Sequence, residues 1–317
     1  MRILLIAPAF YDYHSHIIRE LERRGHSVRF FAERPARWIY SPAKKLPAAW
    51  RERVFASYFR GVLAQIRNEH FDKILLIRGE IVRPWFLEAL RLAQPAARLV
   101  MYQWDSLRVV NFKPLLPLVD AVATFDSVDA RELNLPYLPL FHIPPYRLQD
   151  APTQLNWDLV FVGSFHDARY RTMKAIQAHC AARGIRFHHH LYLSPVDYLK
   201  LKLLSAQPPA REDVTFQTLD QASIVALYRD TAAILDIENH KQTGLTMRTF
   251  EALATGRFLV TTNPLAAELL PELESRIVSL DRQSLDLNAE RLRHPPGWEP
   301  ALATYSLESW AGHLLDM

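Results

Sequence analysis

Between Asp236 and Gly256 the chain reads DIENHKQTGLTMRTFEALATG, a run that sets an arginine and a glutamate just after a Thr-Gly turn. An apolar stretch ends at Asp236, a polar loop follows, and helical spacing begins near Thr246. The first turn of a helix exposes N–H groups without partners and carries the positive end of the peptide dipoles, a setting suited to a diphosphate. Arg248, in that first turn, can add a bidentate contact to a phosphate. Glu251 lies three residues on, on nearly the same face, where a carboxylate could accept from two ribose hydroxyls. The same spacing also fits a capping arrangement, with Thr246 or its neighbour as the cap and Glu251 as a surface acid. Spacing alone leaves both readings open.

The chain has only nine glycines, so each placement is informative. Gly25, Gly184 and Gly256 stand where helices are expected to end. Gly163 and Gly244 do not. Gly163 closes an apolar strand and precedes Ser164, where backbone can approach a phosphate and offer N–H groups, or where the chain makes a plain turn. Neither half contains a full G-x-G-x-x-G, so a classical dinucleotide fingerprint is missing.

A transferase also needs a base for the acceptor hydroxyl. Asp12, His14 and His16 follow the first apolar strand, in the loop that starts at Tyr11, and histidine titrates near neutral pH. Helix capping by Asp12 or Ser15, with solvated histidines, is the competing reading. Asp105, after another strand, is a further candidate base or acceptor ligand. His188, His189 and His190 invite a metal, but on a strand they alternate faces and no carboxylate lies close in sequence, so no metal is expected. Trp38, Tyr40, Trp50, Phe55, Tyr58 and Phe59 interleave with Arg34, Arg37, Lys44, Lys45, Arg51, Arg53 and Arg60. Such a segment suits a membrane face or a sugar acceptor, and equally a solvated helix packed by its aromatics.

Thr243 to Gly256, followed by Leu259-Val260-Thr261-Thr262-Asn263, resembles the nucleotide-binding signature of GT-B glycosyltransferases, most of all the CgeB-like and bacterial surface-polysaccharide group. Asp158 to Arg169 resembles the same group, with weaker echoes at Trp104-Asp105-Ser106 and Phe125-Asp126. The resemblance implies that Glu251 holds the nucleotide ribose. It also implies that Gly163, Ser164, Arg169, Thr243, Gly244, Leu245, Thr246 and Arg248 line the donor site. Donors in that class are NDP-sugars and no metal or other cofactor is required. One departure matters. Many retaining members carry two glutamates eight positions apart, and eight residues before Glu251 stands Thr243, with Glu238 nearby. Stereochemistry therefore does not carry over.

The elements that must position these residues alternate strand and helix. In the first half, apolar runs at 2–6, 28–31, 73–77, 98–102 and 121–124 read as buried strands. Ile17, Ile18 and Leu21, then Tyr58, Leu63 and Ile66, recur at helical spacing. The prolines between His142 and Asn156 mark a linker. The pattern then restarts, with strands expected at 158–163, 185–187, 214–216, 232–236 and 257–261, and helices at 169–182 and 246–254. This predicts an α/β protein of two Rossmann-like, doubly wound domains facing a central cleft: 1–145 for the acceptor and 146–317 for the nucleotide-sugar, with a final helix able to pack back on the first.

With 317 residues, 49% hydrophobic and 23% charged, the chain is globular and long enough for two cores. It lacks a run of roughly 20 apolar residues, and residues 1–10 lack a cleavage pattern, so a cytoplasmic protein is expected, with peripheral contact to an anionic membrane left open. One cysteine, Cys180, excludes an intrachain disulfide. A net charge of +4 without a dense basic block suits phosphates and gives no support to nucleic acid. The expected function is transfer of a sugar from an NDP-sugar to a glycan or lipid-linked acceptor, in cell-surface polysaccharide or lipopolysaccharide synthesis. The alternatives are an NDP-sugar epimerase on the same fold, or a non-catalytic two-lobed binding protein.

Overall fold

The computed structural model describes residues 1–9, 12–148, 155–238, 243–282, 284–292 and 294–317. Tyr11 lies outside them. They form two compact units. Unit 1 holds Met1–Leu140, Thr243, Gly244 and Leu307–Met317; unit 2 holds the remaining described residues from Phe141 to Ser306.

Unit 1 runs β1 (Arg2–Ala7), α1 (Tyr13–Arg23), β2 (Ser27–Ala32), α2 (Arg37–Ala43), α3 (Ala48–Gln65), β3 (Lys73–Ile77), α4 (Pro84–Ala93), β4 (Arg98–Gln103), β5 (Ala121–Thr124) and α5 (Ser127–Leu133). Its strands pair in parallel in the order β2-β1-β3-β4-β5. Ile3 to Ala7 and Ile74 to Ile77 are buried throughout, as strands covered by helices on both faces require. The basic, aromatic segment becomes α2 and α3. Tyr40, Phe55 and Phe59 enter the core, while Trp38 and Trp50 stay exposed.

Unit 2 continues with β6 (Trp157–Ser164), α6 (Asp167–Ala182), β7 (Phe187–Tyr192), α7 (Pro195–Leu204), α8 (Gln221–Arg229), β8 (Thr231–Asp236), α9 (Met247–Ala254), β9 (Phe258–Thr261), α10 (Ala266–Leu269), β10 (Ile277–Ser279) and α11 (Ala289–Leu292). Its parallel order is β7-β6-β8-β9-β10, the same winding as unit 1. In both sheets the strand order reverses between the first and third strands of the unit, and ligands of such sheets bind beyond the strand ends at that point. The last helix, α12 (Leu307–Asp316), belongs to unit 1. Its Trp310 ring stands edge-on to Tyr102 at 5.0 Å. Lys73 Nζ donates to the Leu314 carbonyl at 3.3 Å and to that of Leu315, placing a cation at the negative end of the helix.

Three expectations are corrected. Val214-Thr215-Phe216 is not a strand; only Thr215 bridges to Tyr192, too short a pairing to extend the sheet. The strand expected from Ile185 begins at Phe187, because Ile185 closes the turn after α6. Of the proline-marked stretch between His142 and Asn156, residues 149–154 lie outside the described residues, while Ile143 and Tyr146 before them are buried. Gly163 is not a turn: it pairs in register with Leu191 inside β6, and the strand runs on to Ser164.

Candidate functional site

The site is built from the ends of β6 and β8 and the start of α9. Thr246 caps α9 by accepting the Thr249 N–H at 3.3 Å on its hydroxyl, and the same hydroxyl donates to Asp236 at 2.8 Å. The Thr249 hydroxyl donates to the same Asp236 oxygen at 3.1 Å. A buried carboxylate at the end of β8 thus fixes the first turn of the helix that follows. At the far end Gly256 has φ +71°, and a Cβ there would fall 2.6 Å from the Gly297 backbone, so glycine is required twice over.

Glu251 is 5% exposed, which rules out the surface acid of the capping reading. Tyr146 hydrogen-bonds to it, and the Tyr146 hydroxyl is pushed above its ordinary pKa by burial and by the Glu251 charge. Arg248 Nε donates to the Tyr228 hydroxyl at 3.3 Å, and its Nη1 stands 3.9 Å from Asp236. Burial works against the Arg248 charge, but Tyr228, Asp236 and Glu251 outweigh it and hold the guanidinium above its usual range. Its guanidinium also sits 5.9 Å from the centre of the Phe161 ring. A Cβ on Gly163 would lie 2.8 Å from that ring, so the glycine clears room for the aromatic beneath the arginine.

Arg169 completes the cluster. Its guanidinium donates to the carbonyls of Ser164, at 3.1 Å, and Ile237, at 3.3 Å. Burial, then the like charge of Arg248, lowers its pKa, while Asp236 and Glu238 pull the other way. Two guanidiniums that repel each other at a strand-order reversal would gain from an anion between them. A cavity of about 170 Å³ opens beside Arg169, lined by Phe165, His166, Ala168, Arg169, Ile237, Glu238 and Arg282. That is below the roughly 300–1,000 Å³ of a drug-sized site, so it suits a phosphate or part of a sugar. Glu238 is held by Thr262 and Arg282.

The structure thus gathers Gly163, Ser164, Arg169, Thr246, Arg248 and Glu251 in unit 2, and buries Leu245. Thr243 and Gly244 lie elsewhere. Asp126, fully buried in unit 1, accepts the N–H groups of Thr243 at 3.2 Å and Gly244 at 3.1 Å and the Thr243 hydroxyl at 2.7 Å. It also caps α5 through Val128 and Asp129. A Cβ on Gly244 would fall 2.3 Å from the Phe125 ring. Both residues therefore have a packing task within unit 1.

The base candidates stand apart from one another in kind. Asp12 precedes α1 with φ 61° and makes no capping bond from its side chain. A hydrogen bond from Ser15, with help from His16, His14 and Arg19, keeps its carboxyl below the usual range despite some burial, which weakens it as a proton acceptor. The His14 ring stacks on Phe30 at 4.9 Å. Asp105 is paired with Arg78 Nε at 2.5 Å, so its charge is already spoken for. Arg78 has φ 70°, a strained backbone for a residue with a side chain, and also binds Glu33 and Glu80, each at 3.0 Å. Nothing in residue order pointed to Tyr146, Tyr228 or Arg282, which reach the site from distant segments. Asp236 did carry a signal, as the acid that ends a buried strand.

Among the described residues no cluster fit for a metal occurs. His188 stacks on Trp157 at 4.8 Å, His189 Nε2 meets the Asp213 carbonyl at 3.2 Å, and His190 Nε2 the Gln217 carbonyl at 2.8 Å. Burial lowers the pKa of His188 and His189 below 6.5. Above about 6.5 these rings are neutral in both states and stability is full. As pH falls from there towards their folded values, the unfolded chain takes up protons first and stability drops. The melting temperature should fall between pH 7 and pH 5, and the double variant His188→Phe/His189→Gln should flatten that slope; an unchanged slope would refute this origin.

No family model matches the chain, and no curated protein matches it. Solved structures do. A trehalose-6-phosphate synthase studied for glycosyl transfer with retention is 10% identical, with 100% of this chain and 98% of that one covered, at a TM-score of 0.65. The lipopolysaccharide outer core galactosyltransferase WaaB is 11% identical, with 100% and 99% covered, at 0.53. UDP-GlcNAc 2-epimerase from Neisseria meningitidis, bound to UDP-GlcNAc, is 10% identical, with 100% and 99% covered, at 0.55. Likeness at such identities carries the fold and not the chemistry. What the chain shares with these GT-B glycosyltransferases and with the epimerase is a fold of two parallel-sheet α/β domains.

Proposed function

We propose that the protein is a glycosyltransferase that moves a sugar from an NDP-sugar to a glycan or lipid-linked acceptor, in cell-surface polysaccharide or lipopolysaccharide synthesis, on the cytoplasmic face of the membrane. The observation that carries this is the buried Glu251 and the half-buried Arg248 placed together in the first turns of α9, beside Arg169 and the end of β8. In this reading Arg248, Arg169 and the N–H groups of α9 bind the diphosphate and stabilise it as it leaves, by electrostatics set in advance. Glu251, oriented by Tyr146, accepts from the ribose hydroxyls. Two guanidiniums supply the positive charge that a metal would bring elsewhere, so no metal is required. The acceptor proton goes to His14 rather than to Asp12, whose carboxyl is held low; Asp105, paired with Arg78, serves better to hold an acceptor hydroxyl. The fold fits an NDP-sugar epimerase equally well, and that enzyme would change the donor with no acceptor present.

The test is a thermal-shift screen with UDP, GDP, CMP and dTDP and their sugars. A donor at a hundred times its Kd should stabilise the protein by about 2.7 kcal/mol. Donor consumption followed by NMR, with and without a glycan acceptor, then separates transfer from epimerisation. A flat response to all four nucleotide classes would sink both readings.

A further inference from the structure

Helix α7 presents a face that its own unit does not use. Tyr198 and Leu201 turn inward and pack on the unit 2 core, Tyr198 with its ring 5.4 Å from Phe216. At about 100° per residue, the opposite arc holds Leu199, Leu203, Val196, Lys200 and Leu204 in that angular order. Those four apolar side chains are 58%, 73%, 77% and 76% exposed, and no residue of the helix is buried. Lys200 sits inside the arc, Lys202 about 60° outside one edge and Asp197 about 20° outside the other, all exposed. The one acid of the helix, Asp197, is engaged by the Ser194 hydroxyl at 2.6 Å, in the first turn.

We infer that α7 is a docking helix for an anionic lipid surface, lying in the plane of the headgroups with Val196, Leu199, Leu203 and Leu204 inserted. The charge pattern decides between occupants. A protein groove would have to desolvate Lys200 in the middle of its apolar contacts, whereas at a bilayer interface a lysine stem lies along the apolar layer and its ammonium reaches the phosphates. Lys202 and the chain's net charge of +4 add to the attraction. A second copy of the chain is disfavoured by size. The helix has ten residues, and four aliphatic side chains cover far less than the roughly 800 Å² per partner of a stable interface. The inference gives the proposed membrane-face location a specific contact and rests on that location. It does not depend on donor chemistry.

The test is co-sedimentation of the full chain, without nucleotide, with vesicles of phosphatidylcholine alone or mixed with phosphatidylglycerol. Binding is expected to the anionic vesicles, and to weaken with salt. Leu199→Asp/Leu203→Asp and Lys200→Gln/Lys202→Gln should each reduce it about tenfold or more. The exchanged side chains point away from the core, so the melting temperature should hold. No binding to anionic vesicles, equal binding to both vesicle types, or unchanged binding by the aspartate variant would overturn the proposal. So would light scattering that shows a dimer reduced to monomer by the aspartate exchanges, since that would make α7 a self-interface. Donor-induced thermal shifts measured on the same samples keep a failure here separate from a failure of the transferase reading.

Discussion

Arg248→Ala is expected to weaken nucleoside diphosphate binding by about 2–3 kcal/mol, a loss of roughly thirty- to a hundred-and-fiftyfold. The guanidinium is the one cation placed in the first turn of α9, and it is aimed by three partners: the Tyr228 hydroxyl, Asp236 and the Phe161 ring. Arg248→Lys should fall between wild type and alanine, because an ammonium keeps the charge and loses the planar fork. Glu251→Ala should cost about 1.5–3 kcal/mol by loss of hydrogen bonds to a charged acceptor. Calorimetry with the nucleotide chosen by the thermal screen measures all three. Normal affinity in a folded Arg248→Ala protein would remove the diphosphate from this end of β8. The phenol of Tyr228, pushed up to about 12 by burial against the opposing pull of Arg248, stays protonated throughout any working pH range. Tyr228→Phe should therefore raise KM for the donor without adding a pH dependence.

Asp126→Ala should destabilise unit 1 by about 3 kcal/mol or more, read from the urea midpoint. Its carboxylate takes the N–H groups of Val128, Asp129, Thr243 and Gly244 and the Thr243 hydroxyl, and it is fully buried. Alanine leaves those donors without a charged acceptor and removes the cap of α5. Asn is expected to be intermediate, since one oxygen still accepts while its NH2 group would confront N–H donors. Values within about 0.5 kcal/mol of wild type for both would place Asp126 among ordinary surface positions.

Much of the fold could be read from residue order because the physics behind it is local. The runs at 3–6, 74–77 and 232–235 are continuous and apolar, as strands covered on both faces must be, and Gly25, Gly184 and Gly256 all adopt positive φ at helix ends. Thr246 as the cap of α9 was legible for the same reason. What sequence order concealed depends on side chains meeting across long separations. Gly163 looked like a turn, yet its need for glycine comes from the direction of the Phe161 ring. Thr243 and Gly244 stand three and two residues before the α9 cap in sequence but pair with Asp126, more than a hundred positions earlier. Tyr146 and Tyr228 carry no periodic signal, since a buried tyrosine looks the same whether it fills a core or aims a carboxylate.

The membership of α12 in unit 1 has a consequence for biosynthesis. Lys73, at the start of β3, finds its carbonyl acceptors at Leu314 and Leu315, and Tyr102 finds its edge-on neighbour at Trp310. The unit translated first must therefore wait for residues 307–316 before its sheet is covered, while the later unit is complete by Ser306. Nascent chains stalled ahead of residue 307 should expose the β3–β4 face to chaperones, and on the ribosome the second domain should acquire protease resistance before the first.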